Sequence, residues 1–169
     1  MNLISRKAKE KIWIRLGLVS GCVILADQFT KYLIKINLSL HDSIMVIDKF
    51  FNITHILNPG GAFGFLASQS IEIRKFIFLF MSSLVAFFVL WWYKKTALNG
   101  VFLSYGLALI FGGAIGNLID RFKYGKVVDF LDFYIGSVHW PAFNVADSAI
   151  SIGMVILCYH IIFNKISDL

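Results

Sequence analysis

Two aspartates 18 positions apart carry the clearest chemical potential in this chain: Asp129, behind two valines in VVDF, and Asp147, just inside the last long apolar run. A carboxylate in an apolar segment is costly unless it is paired or put to use. If two such groups face each other in a low-dielectric site, repulsion keeps both from ionising, so one stays near-neutral and the other anionic. The anion can take a proton from water while the acid polarises a carbonyl, which is direct hydrolysis with no covalent intermediate. On the residues alone three readings stand: a catalytic or proton-relay dyad, a plain structural role, and a step in ion or solute translocation. Ser148, next to Asp147, has no histidine placed as its base and no glycine elbow or oxyanion motif. The histidines at 41, 55, 139 and 160 lack paired ligand spacing, so neither metal nor other cofactor is expected.

The elements that must position these acids follow from composition. With 58% hydrophobic and 15% charged residues in 169, the chain is too apolar for a soluble domain and is expected to be an α-helical integral membrane protein. Its net charge of +6 comes from basic residues at the ends of apolar runs rather than from a nucleic-acid-binding stripe, so no nucleic acid partner is expected. Four transmembrane helices are expected, at about 12–35, 75–93, 101–119 and 144–163, forming with a surface β region at about 43–66 a single membrane-embedded domain. Arg6, Lys7, Lys9, Lys11 and Arg15 before the first run resemble a signal peptide, and Val19-Ser20-Gly21-Cys22 resembles a lipobox. The run continues past Cys22 into the Tyr32–Ile36 region, however, which favours a retained first helix. Trp91-Trp92-Tyr93-Lys94-Lys95 closes the second span as an aromatic belt and basic stop. Gly112 with Gly116 in the third span, and Ala149 with Gly153 in the fourth, permit close helix approach. Between the first two spans, β-branched and aromatic residues from Ser43 to Leu57 suggest strands turning at Asp48-Lys49, ended by Asn58-Pro59-Gly60-Gly61. Cys22 and Cys158, inside apolar runs, read as buried structural thiols.

Four spans put both termini on one side. Lys and Arg divide eight against eight between the two sides, so the dense amino-terminal cluster decides for cytoplasmic termini. Whichever way the chain inserts, Asp27, Lys31, Asn58, Asn117, Asp120, Arg121, Asn144 and Asp147 meet at one membrane face. The i,i+4 spacing allows an Asp27–Lys31 ion pair, and Asp120 with Arg121 fits a second structural pair. Lys126 and Arg121 are near enough in sequence to be partners of Asp129.

DQFTK at 27–31, NPGGAF at 58–63, GNLIDR at 116–121, VVDF at 127–130 and FNVADS at 143–148 resemble, in order, the conserved blocks of the lipoprotein signal peptidases, or signal peptidase II family. The resemblance implies a bacterial inner-membrane aspartyl endopeptidase of four transmembrane helices with an extracytoplasmic sheet. It implies a diacylglyceryl-modified prolipoprotein as substrate, cut just before the lipidated cysteine, and inhibition by globomycin-like cyclic peptides. Carried over, Asp129 and Asp147 are the catalytic pair. Asn58, Gly60, Asn117, Arg121 and Asn144 bind substrate, with Asn58 and Arg121 on its backbone, and Asp27, Lys31 and Asp120 support the site. Gly64 departs from the small or polar residue frequent at that position. Two other readings remain: a proton-coupled transporter relaying through Asp27, Asp120 and Asp147, and a non-catalytic membrane scaffold.

Overall fold

The computed structural model describes residues 3–60, 69–98 and 100–163. Its elements in chain order are α1 (Leu3–Asn37), β1 (Ser43–Ile47), β2 (Phe51–Asn58), α2 (Ile71–Thr96), α3 (Val101–Tyr124), β3 (Val127–Ile135), β4 (Val138–His139) and α4 (Val145–Phe163). All four helices contain a stretch long and apolar enough to cross a membrane. The helices run beyond the expected spans at several ends, α3 by five residues to Tyr124 and α1 to Asn37. Residues 61–66 of the expected surface β region, Gly64 among them, lie outside the described residues, as does Lys165 of the charge tally.

Helix α3 is the centre of the bundle and packs against α1, α2 and α4. Glycines make this possible. A Cβ on Gly112 would approach the Ser20 backbone of α1 to 2.9 Å, and one on Gly116 would come within 2.8 Å of an Asp27 oxygen. On the face toward α4, a Cβ on Gly106 would meet Ile156 at 2.7 Å, and one on Gly113 would run into the Ala146 carbonyl. Gly153 answers from α4, where a Cβ would meet Ile110 at 2.6 Å. The two small-residue motifs therefore serve different seams, one on α1 and one between α3 and α4. Helix α2 joins α3 and reaches α1 through Tyr93, whose buried hydroxyl donates to the Ile12 carbonyl. Around Tyr93 gather Ile12, Leu16, Leu103, Leu107 and Leu157, the apolar core of one end of the bundle.

At the other end sits an antiparallel sheet of order β1-β2-β3-β4. Strands β1 and β2 form the expected hairpin, turning through Asp48-Lys49-Phe50 with Lys49 at φ 59°, and β2 pairs along β3 from Phe51↔Phe133 to Asn58↔Val127. Val128 and Phe130 of β3 pack with Ile34 of α1 to seat the sheet on the helices. The segment carrying Asp129, outside the expected β region at about 43–66, is this strand. It escaped notice because Val127–Phe130 are buried on both faces, so the segment shows no period-two alternation.

Cys22 and Cys158 are exposed rather than buried. Hydropathy does not separate the side of a membrane helix that faces its neighbours from the side that faces lipid, because both are apolar. The outward faces of the bundle are rich in large apolar side chains such as Leu18, Leu25, Phe76 and Val155, as a bilayer requires.

Candidate active site

Asn144 immediately precedes α4 and caps it. Its Oδ1 accepts the Asp147 N–H at 2.9 Å, while Asp147 Oδ2 accepts the Asn144 N–H at 3.3 Å, the reciprocal pattern of a capping box. An asparagine three residues before an aspartate thus places Asp147 in the first turn, where unpaired backbone N–H groups favour an anion. The same Asn144 side chain donates through Nδ2 to Asp129 Oδ1 at 2.7 Å, so one amide touches both aspartates. Asp129 comes to it as the third residue of β3, held in register by β2.

Each carboxylate oxygen of the pair has a donor. Asn58 Nδ2 donates to Asp129 Oδ2 at 2.9 Å, and Asn117 Nδ2 donates to Asp147 Oδ1 at 2.7 Å. Asn58 is itself fixed by an Asx turn, its Oδ1 accepting the Gly60 N–H at 2.8 Å. Gly60 has φ 89°, and a Cβ there would stand 2.5 Å from the Phe78 ring, so conformation and space both call for glycine. Burial pushes the Asp129 carboxyl up to about 6; the bonds from Asn58 and Asn144 oppose the rise, the Asp147 charge adds to it, and Lys31 lowers it. A carboxyl balanced so close to neutrality can hold or release a proton at working pH.

Behind the pair lies a second buried cluster. Lys31 Nζ is 2.8 Å from Asp27 Oδ2, 3.0 Å from Asp120 Oδ2 and 3.0 Å from Asn117 Oδ1. Asp27, Lys31 and Asp120 are all at most 1% exposed. The Asp27–Lys31 pair is as expected, but Asp120 turns to Lys31 rather than to Arg121. Consecutive residues of a helix diverge by about 100° around its axis, so Asp120 and Arg121 face different neighbours. The Arg121 guanidinium instead lies 5.8 Å over the Phe78 ring, within coulombic reach of Asp147, Asp129 and Asp120.

The structure thus brings together Asp27, Lys31, Asn58, Asn117, Asp120, Asp129, Asn144 and Asp147 in one hydrogen-bonded group, with Gly60 and Arg121 at its edge. Sequence reasoning passed over Gln28, whose side chain lies among Asp27, Asp120 and the Gly116 carbonyl. It also passed over Asn52 and Asp132 on the sheet, where Asp132 accepts from Asn52 at 3.0 Å and pairs at 2.8 Å with His139, a residue weighed from sequence only as a base or metal ligand. The first signal was present in the DQFTK block; the second needed the register of β2, β3 and β4.

Two aspartates delivered by a strand and by a helix cap, at the end of a four-helix membrane bundle, can be compared with known proteins as a whole. The sequence profile described as signal peptidase (SPase) II matches residues 19–163. The lipoprotein signal peptidase of Desulforapulum autotrophicum is 64% identical over 156 residues, covering 92% of this chain and 96% of that one. That of Syntrophus aciditrophicus is 47% identical over 145 residues, covering 86% and 90%. A bacterial membrane enzyme structure solved by the in meso method at 2.3 Å superposes with a TM-score of 0.77 at 33% identity, covering 91% of this chain and 93% of that one. With the profile spanning nearly all of the bundle and the relatives matching over most of their own length, this chain belongs to the signal peptidase II family.

Proposed function

We propose that the protein is an aspartyl endopeptidase that removes the signal peptide from diacylglyceryl-modified prolipoproteins, cutting just before the lipidated cysteine. The observation that carries this reading is the single Asn144 side chain bonded to Asp129 while its cap holds Asp147, so that one amide ties the two aspartates together. One carboxylate removes a proton from water; the other, protonated, polarises the scissile carbonyl, and the pair exchanges roles as the tetrahedral intermediate collapses.

In this reading Asn117 and Asn144 orient the dyad, and Asn58 orients Asp129 as well as meeting the substrate backbone. Arg121 and Gly60 line the approach to the pair, and Asp27, Lys31 and Asp120 support it from behind. Residues 1–169 act as a single membrane-embedded peptidase domain of the bacterial inner membrane, with cytoplasmic termini and the dyad near the extracytoplasmic face. The basic cluster in the amino-terminal turns of α1 supports that orientation. A site at the end of the bundle suits a substrate whose lipid stays in the bilayer while its peptide bond is cut, and membrane lipids and globomycin-like peptides are the other ligands implied.

The test is cleavage of a diacylglyceryl-modified prolipoprotein in detergent. Asp129→Asn and Asp147→Asn are each expected to lose at least roughly a hundredfold in kcat. Turnover retained by either folded variant overturns the dyad.

A further inference from the structure

Gln28 has no role in the reading above, yet it ties together the two groups on which the dyad hangs. Its Nε2 donates to Asp120 Oδ1 at 3.0 Å and lies 3.2 Å from both Asp27 Oδ2 and the Gly116 carbonyl. Lys31, about one turn further along α1, holds the same two carboxylates. An acid of α1 and an acid of α3 are therefore gripped together from one helix.

What those two acids hold in turn is the informative part. Asp27 Oδ1 accepts the backbone N–H of Ala146 at 2.9 Å, and Asp120 Oδ2 accepts the backbone N–H of Val128 at 3.2 Å. Ala146 is the residue immediately before Asp147, and Val128 the residue immediately before Asp129. Each member of the dyad thus follows directly on a backbone N–H fixed by a buried carboxylate. Gly116 makes the arrangement possible, because any side chain there would displace the Asp27 carboxylate.

Lys31 reaches only one oxygen of Asp120, Oδ2. Its three N–H bonds are matched by Asp27, Asp120 and Asn117, and among the described residues Asp120 Oδ1 has Gln28 as its donor. Without that donor Asp120 is held through Oδ2 alone, by Lys31 and the Val128 N–H, and the grip on Val128 is loosened. Where pH rises far enough for both dyad carboxylates to ionise they repel, so a strand and a helix end held less firmly move apart.

We propose that Gln28 is a positioning residue for the cleavage reaction: by locking Asp27 to Asp120 it fixes the separation of strand β3 from the first turn of α4, and with it that of Asp129 from Asp147. The inference rests on the dyad reading of the site, and the experiment separates the two. Gln28→Met keeps the size of the side chain and removes its donors. With the diacylglyceryl precursor, kcat is expected to fall roughly ten- to hundredfold, while KM stays nearly constant because substrate contacts are untouched. The bell-shaped pH profile of kcat is expected to narrow, since carboxylates further apart couple less and their two apparent pKa values converge. An unchanged kcat and profile width, with Asp129→Asn inactive in the same assay, overturns the proposal and leaves the dyad standing; an active Asp129→Asn overturns both. Gln28→Glu tests the same point should the methionine variant not fold. Its activity relative to wild type is expected to decline as pH rises and a third carboxylate ionises beside Asp27 and Asp120. A ratio to wild type that does not vary with pH overturns the proposal.

Discussion

At the scale of the residue, the most informative group is Asp129. Its carboxyl is raised from the ordinary 3.8 to about 6, chiefly by burial. Between those two values the folded protein binds a proton that the unfolded chain has released, so stability is expected to fall as pH rises through this window. The loss is on the order of 2 kcal/mol, and Asp129→Asn, which cannot ionise, should not show it. Unfolding in detergent at pH 4 and pH 7 for both proteins checks this; the same pH dependence in the variant contradicts the assignment. The Asn58 bond lowers the Asp129 value, so Asn58→Ala is expected to shift that window upward in pH and to reduce kcat roughly tenfold. A downward shift in the variant, read from its pH–stability curve, argues against Asn58 as the donor that holds Asp129.

At the scale of the element, the site depends on how closely α3 approaches its neighbours. Gly113 faces the carbonyl of Ala146, the residue whose N–H Asp27 holds, so packing of α3 on α4 and placement of Asp147 are one structural fact. Gly113→Ala is expected to destabilise the protein by about 1–3 kcal/mol through overpacking against backbone that cannot yield. Gly21→Ala meets nothing within 4 Å and is expected to be neutral or to stabilise α1 by up to about 1 kcal/mol. Thermal unfolding of the two variants side by side distinguishes them, and equal effects contradict the close-packed seam. Strand β3 makes the same point from the sheet: its burial on both faces fixes Asp129, and its pairing with β2 brings Asn58 beside it.

At the scale of the whole molecule, the polar cluster lies at the sheet end of a bundle whose outward surface is apolar. A substrate anchored by lipid is delivered to that depth by the bilayer itself, whereas an unmodified precursor must find it from solution. On the proposed function, kcat/KM for unmodified precursor is expected to be at least roughly tenfold lower, because each buried CH₂ of the lipid contributes about 0.8 kcal/mol to membrane anchoring. Paired assays on precursor with and without the diacylglyceryl group check this, and equal rates contradict it.

The sequence by itself determined the membrane class, the four apolar helices, the hairpin at Asp48-Lys49 and the ordered blocks that carry the family resemblance, because hydropathy, turn chemistry and motif spacing are local properties. It also brought most polar residues to one end of the bundle, since alternating passage through four spans fixes which ends share a side. Only the tertiary structure decided their partners. Asp120 could be seen beside Arg121 in the chain but not across the bundle from Lys31 on α1. The buried character of β3 hid it from any reading by alternation, and apolar helices gave no sign that Cys22 and Cys158 face outward. Gln28 stood in view between Asp27 and Lys31, but its contacts with Asp120 and Gly116 span 92 and 88 residues of chain. The physical reason is the same in each case: a periodicity reports the environment of an element, whereas a hydrogen bond joining two elements depends on how closely their backbones approach, and here glycines on α3 set that approach.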